Sequence, residues 1–352
     1  MKTVLFLGAG FSAAWGLPTM NQFFNYANDS AHLTNEDKVF LNKLQERAYR
    51  GANMFQVVRN NLEEILSFCL SEYSLGVGYP DKSNNEYKKL CQILQEVYRR
   101  FDIEKCIDGE IKNACQRLLA FKGRYTPQSY ELGIITTNYD IMAEFYLKDL
   151  GFDFCLPGKW RPTSEAKTNL YKTLESAPSG SLFCKLHGSL NWYTDTKDED
   201  SFIVESGIED GYYDLDSEEE NSVGQRVSLP NVFSNTYKPP DIPVIVPPTL
   251  FKMQTEPRFQ AIWRSAGELL RNTDKLVFIG FSFPDSDIHI KYFLAANLYD
   301  NVRLKGIDIV DPEADKICNE LKKSKLGNHF KELLNSIPGK WEENDYSVVS
   351  QG

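Results

Sequence analysis

Long hydrophobic runs are absent from this chain. No apolar stretch approaches the ~20 residues that cross a bilayer as a helix, so no membrane partner is expected. Paired cysteine motifs are absent too. The seven cysteines are Cys69, Cys91, Cys106, Cys115, Cys155, Cys184 and Cys318, and none forms a Cys-x-x-Cys pair. That argues against a structural zinc site, and no metal is expected. Odd in number and scattered, they suit a reducing compartment and read as small buried hydrophobes. A basic excess is also lacking. The net charge of −10 argues against nonspecific nucleic-acid binding, and no direct contact with nucleic acid is expected. The sequence holds neither an internal repeat nor a long low-complexity tract.

The negative charge is concentrated. Residues 194–222 carry twelve acids, from Asp195 to Glu220, and one base, Lys197, which leaves the rest of the chain near neutrality. The composition, 42% hydrophobic and 25% charged, is that of a globular protein. A single core saturates near ~250–300 residues, so 352 residues predict one large domain, 1–352, with a subdomain. The opening MKTVLFLGAGFSAAWG has the outline of a short signal peptide, but Gly8 and Gly10 interrupt it. A nucleotide-binding turn explains those glycines better, and a cytoplasmic location is expected.

Short β-rich runs bounded by turn residues recur along the chain. They are TVLFLGAG (3–10), LGIITTN (132–138), LFCKLHG (182–188), PVIVPP (243–248), KLVFIGFS (275–282) and LKGIDIVD (304–311). Helical spacing fills 139–150, 256–272, 286–298 and 312–323. This alternation predicts an α/β fold, a Rossmann-like parallel sheet with helices on both faces. Residues 20–130 break the rhythm. Apolar residues at three- and four-residue spacing in 35–50, 55–74 and 86–121 predict a mostly helical insertion subdomain, with a turn at 76–85. Residues 194–240, which contain the acidic run, predict an exposed second insertion with room for a small hairpin. The tail after Trp341 reads as poorly ordered.

Ligands of open α/β sheets bind outside the carboxyl ends of the strands. Gly8, Ala9 and Gly10 follow the first strand, where glycine lets backbone approach a phosphate and a following helix faces its charge. The same glycines also suit a plain strand-to-helix turn. Ala13 departs from the G-x-G-x-x-G pattern. Other strand ends are polar: Thr136-Thr137-Asn138-Tyr139-Asp140, His187-Gly188-Ser189, Gly280-Phe281-Ser282 with Asp285 and Asp287 beyond, and Asp311-Pro312. Singly, each has a plain explanation. Asn138 and Asp140 suit helix caps, His187 a core histidine, and Asp311-Pro312 a helix start. Together, four polar ends in one sheet point to a site.

In order, GAGFS (8–12), TTNYD (136–140), KLHGS (185–189) and GFS (280–282) resemble the motif series of the sirtuin superfamily. The longer forms KLHGSLNW, VPPTLFK and GFSFPDSDIHI resemble its divergent bacterial branch, the NAD-cleaving effectors of anti-phage defence. The deacylase branch follows the glycine turn with Pro-Asp-Phe-Arg and carries a four-cysteine zinc ribbon. Here Pro18 is followed by Thr19-Met20-Asn21, and the ribbon is missing. The resemblance implies hydrolysis of the nicotinamide–ribose bond of NAD⁺, with water rather than an acyl group as acceptor. Protein deacylation or ADP-ribosyl transfer, and non-catalytic sensing of NAD⁺ or ADP-ribose, are the alternatives. By the same resemblance, Asn138 and His187 are catalytic, His187 as general base. Gly8, Ala9, Gly10 and Ser12 would hold the diphosphate, and Asp140 the carboxamide. Gly280 and Ser282 would line the phosphate and ribose path, and Asp311 would bind the adenosine ribose. Asp287 reads as structural or pocket-lining. The implied partners are further copies of the chain and a separate regulator such as a HerA-type ATPase or a short Argonaute.

Overall fold

The structure is a computed structural model. It describes residues 2–52, 61–76, 78–99, 109–118, 132–149, 152–163, 170–172, 181–198, 200–206, 208–213, 225–230, 242–247, 258–284 and 287–344. The described strands are β1 (Thr3–Leu7), β2 (Leu132–Thr136), β3 (Phe154–Cys155), β4 (Lys159–Pro162), β5 (Tyr171–Lys172), β6 (Ser181–Lys185), β7 (Trp192–Thr194), β8 (Ser201–Val204), β9 (Ile208–Tyr213), β10 (Gln225–Pro230), β11 (Lys275–Ile279), β12 (Gly306–Asp311) and β13 (Leu334–Pro338). The described helices are α1 (Ala9–Ser12), α2 (Phe23–Asp29), α3 (Asn35–Ala52), α4 (Leu62–Leu75), α5 (Pro80–Arg99), α6 (Gly109–Leu118), α7 (Met142–Asp149), α8 (Phe259–Arg271), α9 (Ile288–Leu298), α10 (Ala314–Lys323) and α11 (Lys325–His329).

Eight strands form one sheet in the order β13-β12-β11-β1-β2-β6-β3-β5. Every neighbouring pair in it is parallel. All residues of β1, β2 and β11 are buried, so the centre of the sheet is covered on both faces. That explains why these strands read as continuous apolar runs rather than alternating ones. Amphipathic helices supply the cover. In α8, Phe259, Ile262, Trp263, Ala266 and Leu270 are buried at helical spacing. The register then sets the chemistry. Leu7 lies opposite Thr136 and Ile279, Thr136 opposite Lys185, and Ile279 opposite Val310. The carboxyl ends of five strands are therefore level.

Helices α3 to α6 stand between β1 and β2, as the spacing in 20–130 predicts. Arg47 of α3 ties the bundle together by pairing with Glu72 of α4 at 2.6 Å and with Glu86 of α5. The turn expected at 76–85 is shorter than its composition suggests. Gly76 closes α4 in the left-handed conformation, and α5 already starts at Pro80. Proline needs no donor in a first helical turn and presets the right φ. The single helical stretch of 86–121 is α5 and α6, with 100–108 between them outside the described residues. The start of the 55–74 stretch and Asp285 also lie outside them.

Three expectations are corrected. The described part of the run 243–248, residues 243–247, forms no sheet strand. Pro243 and Pro247 lack the donors a ladder needs, and a single bridge joins Ile245 to Gly188. The segment instead laces over the loop after β6: Val246 N–H donates to the His187 carbonyl (2.9 Å), and Val244 N–H to that of Trp192 (2.7 Å). The insertion 194–240 is not exposed throughout. β8 pairs with both β4 and β7, and Asp195, Phe202, Val204 and Ser206 are buried. Its second half does form a hairpin, β9 with β10. The helix expected after the glycine turn, α1, begins at Ala9, takes in Gly10 and is one turn long, followed by a 3-10 turn, Ala13–Trp15, that Gly16 ends at φ 80°. Phe11 and Trp15 are both fully buried, and they draw this short segment into the core. Strands β3 and β5, two residues each, are too short to leave a sequence pattern.

No described helix is long and apolar enough to cross a membrane. The six described cysteines are free thiols, all buried.

Of the tail after Trp341, residues 342–344 are described and 345–352 lie outside the described residues. Trp341 is buried, stacks on Phe11 at 4.5 Å, and donates from Nε1 to the Phe11 carbonyl at 3.0 Å. Arg117 of α6 holds the carbonyls of Glu342 and Asn344. Trp341→Ala is expected to destabilise the protein by about 3–5 kcal/mol, measured by urea unfolding. A loss below ~1 kcal/mol would show that Trp341 is not part of the core.

Candidate active site

Two glycine turns meet at the centre of the level strand ends. Gly8 N–H donates to the Ile279 carbonyl (3.0 Å), and Gly10 N–H to that of Gly280 (2.9 Å). A Cβ on Gly8 would lie 2.4 Å from the Gly280 oxygen, and one on Gly280 2.4 Å from Gly10 and Phe11 backbone atoms. Gly280 also has φ 60°. Glycine is thus required here so that backbone can approach backbone. The Gly10 and Phe11 N–H groups are both used inside the protein, the latter by the Gly8 carbonyl at 2.9 Å.

Around this contact lies a cavity. Its wall includes Ala9 and Gly10 after β1, Thr137 after β2, Gly280, Ser282 and Pro284 after β11, and Asp311 at the end of β12. β1 runs to β2 on one side and has β11 on the other, so the cavity opens where the strand order reverses. From β12 to β2 is three strand spacings, about 14 Å. Half-burial pushes the Asp311 carboxyl above its ordinary range. Phe283, beside Pro284, adopts the left-handed conformation at φ 53°, a strained turn at the cavity rim.

The expected site residues divide into wall and support. Ala9, Gly10, Gly280, Ser282 and Asp311 line the cavity; Gly8, Ser12, Asn138, Asp140 and His187 do not. The support is a buried polar chain. Asn138 donates from Nδ2 to the Gly8 carbonyl (2.8 Å) and to Ser12 Oγ (3.1 Å). Ser12 donates to Asp140 Oδ1 (3.0 Å), which also accepts the Met142 N–H (3.0 Å) and so starts α7. Lys185 of β6 underlies this chain. It donates to the Asp140 carbonyl and, at 2.7 Å, to Glu144 Oε1, which also accepts from the Tyr171 hydroxyl at 2.8 Å. Burial raises the Asp140 and Glu144 carboxyls, and the Lys185 ammonium pulls both down.

His187 is fully buried behind the wall. Gly188, at φ 83°, brings it there: a Cβ on Gly188 would lie 2.1 Å from the Val244 carbonyl oxygen. The imidazole has a carboxylate on each side, Asp287 Oδ2 3.4 Å from Nε2 and Glu63 Oε1 3.9 Å from Nδ1. Both acids are buried and both line the cavity. Burial first, then the Glu63 charge and more weakly that of Asp287, pushes the nearby Tyr139 phenol well up. Asp287 is therefore a wall residue.

Sequence reasoning missed Glu63, Asn61, Thr19, Met20 and Asn21, all on the wall. A signal for Glu63 was present. Asn61 precedes the apolar face of α4 as a cap, and Glu63 stands beside Leu62, Ile65 and Leu66 on that buried face.

A family profile described as SIR2-like domain matches residues 132–326. The chain belongs to the SIR2-like domain family. Among solved structures, two Sir2 homologue point mutants bound to ADP ribose are similar at 13% and 14% identity, each with a TM-score of 0.37. A Sir2 homologue triple mutant bound to 2′-O-acetyl ADP ribose is similar at 14% identity, with a TM-score of 0.38. Each likeness covers 97% of this chain and 88% of the other. No curated protein matches the chain. The match of this SIR2-like domain starts at β2, so three of the four motif segments fall within it, and GAGFS precedes it. Among its described residues, no group of three or more His, Cys, Asp or Glu is placed to hold a metal ion.

Lys185 and Glu144 have side chains that are 0% and 1% exposed. Breaking such a pair leaves an uncompensated buried charge, whereas removing both charges does not. Lys185→Met is expected to cost about 3–5 kcal/mol, and the double variant Lys185→Met/Glu144→Gln less than Lys185→Met alone. Urea unfolding of the wild type, Lys185→Met and the double variant checks this; a double variant no more stable than Lys185→Met would show that the two charges do not depend on each other.

Proposed function

We propose that this SIR2-like protein is an NAD⁺ hydrolase, which breaks the nicotinamide–ribose bond to give nicotinamide and ADP-ribose. The observation that carries the reading is the pair of carboxylates Glu63 and Asp287 on the wall of a strand-end cavity, with His187 between them behind it, in a member of this family. The cavity's ~14 Å reach across four strand ends suits an extended ligand. The hydroxyls of Thr137 and Ser282 and the close-packed backbone at Gly10 and Gly280 offer contacts along it.

The chemistry needs little acid help, because departure neutralises the positively charged nicotinamide ring. The barrier lies in forming a cationic, oxocarbenium-like sugar. Carboxylates aimed at that sugar from a buried wall stabilise it more than they would in water. Glu63 and Asp287 are such groups. His187 holds them from behind, and Asn138 fixes the Gly8 carbonyl and Ser12, and with them the turn that faces the ligand. Water is the acceptor in this reading.

The role we assign is depletion of NAD⁺ in anti-phage defence, which stops growth of the infected cell. Such an enzyme needs restraint, and we assign that to assembly with further copies or with a separate partner, a HerA-type ATPase or a short Argonaute. The insertions at 20–130 and 194–240 are the surfaces proposed for it.

Asn138→Ala and His187→Ala are each expected to lower NAD⁺ consumption by at least about 100-fold, while thermal unfolding still shows a folded protein. The assay follows NAD⁺ and free ADP-ribose by mass spectrometry, with the pure protein and with its genomic neighbours. Folded variants that both consume NAD⁺ at the wild-type rate would sink the mechanism.

A further inference from the structure

We infer that Glu63 is a catalytic residue of this cavity, the carboxylate that takes the proton of the attacking water. The inference rests on the reading of the cavity as an NAD⁺-cleaving site. It gives the helical insertion a chemical task, since Glu63 belongs to α4 and not to the sheet.

The first observation is position. Glu63 is 6% exposed and lines the cavity. The start of α4 is held rigidly against the loop after the first turn. Asn61 Oδ1 accepts the Glu63 N–H at 2.8 Å, Asn61 Nδ2 donates to Asn21 Oδ1 at 3.2 Å, and Leu62 N–H donates to the Met20 carbonyl at 3.2 Å. From the other side, the Tyr98 hydroxyl of α5 holds the Pro18 carbonyl at 2.9 Å. A carboxylate that must act on one water needs such placement.

The second observation is access. His187 is fully buried and forms no part of the wall, so water in the cavity meets the carboxylates rather than the imidazole. Between the two acids, the Asp287 side chain is 2% exposed and lies 3.4 Å from the ring; that of Glu63 is 8% exposed and lies 3.9 Å from it. Glu63 has the greater reach to water. His187, between the two acids, is then a positioning residue, which keeps the Glu63 carboxylate oriented, while Asp287 faces the sugar beside it.

In the step, the bond from C1′ to the nicotinamide nitrogen breaks, and its electron pair goes to that nitrogen, which becomes neutral. The water oxygen bonds to C1′. Its proton passes to a Glu63 carboxylate oxygen and later returns to solvent.

Glu63→Gln keeps the shape and removes the base. Loss of at least about 100-fold in kcat is expected, with KM for NAD⁺ within about threefold of wild type, as for a group acting mainly in the transition state. Sodium azide, an anionic nucleophile that needs no base, is expected to restore turnover to this variant and to give an azide adduct of ADP-ribose by mass spectrometry. Glu63→Asp, which keeps a carboxylate, is expected to fall between wild type and Glu63→Gln. ADP-ribose binding by calorimetry verifies that each variant keeps its site. If Glu63→Gln turns over at the wild-type rate, gains nothing from azide, or matches Glu63→Asp, the role of Glu63 is overturned and NAD⁺ cleavage stands. If the wild-type protein neither binds ADP-ribose nor consumes NAD⁺, alone or with its neighbours, both fall.

Discussion

The close approach of two backbones, the turn after β1 against the turn after β11, governs the rest of this structure. Gly8, Gly10 and Gly280 leave no room for a side chain between them, and their peptide groups bond directly. The contact locks the two strands on either side of the topological switch point into one register. Every other part of the site is measured from it. Asn138 reaches back across it to the Gly8 carbonyl, and the wall residues of both turns flank it. A side chain at any of these glycines would wedge the sheet open at the point where a ligand would lie.

Behind that contact, buried polarity is arranged in layers. The outer layer is the cavity wall, with Glu63, Asp287 and Asp311 as its charged members. The second layer is His187 and the chain from Asn138 through Ser12 to Asp140. The third is Lys185 with Glu144 and Tyr171. Removing charges from water is costly unless they are paired and hydrogen-bonded. The deepest charges here are paired, and the layer nearest the cavity keeps a little contact with solvent. An anion-lined wall over a paired interior suits a ligand that carries, or develops, positive charge.

Much of this was legible along the chain. Continuous apolar runs ending in polar residues marked the central strands, because a strand buried on both faces shows no alternation. GAGFS, TTNYD, KLHGS and GFS marked the site, because glycine and short polar side chains cluster where strands turn into loops. Other parts were illegible. Strands of two residues carry no period. Pro243 and Pro247 made a plausible apolar run that cannot enter a ladder. The buried part of the acidic segment was hidden by charges that surround it, since burial of Phe202 and Val204 depends on pairing with β4 and β7.

The sequence by itself determined the fold class, the strand ends that could carry chemistry, and the motif series that places the chain among SIR2-like domains. Tertiary structure alone decided which of those residues meet the cavity. It set His187 and Asn138 behind the wall and brought Glu63 onto it from an inserted helix. The physical reason is one of range. Periodicity, caps and turn residues report forces acting within a few residues, and they fix local elements well. The Asn138–Ser12 bond joins residues 126 positions apart, and Asn138 to Gly8 spans 130. Contacts over such separations follow from how helices and sheet close on one another, where register, glycine clearance and burial act together.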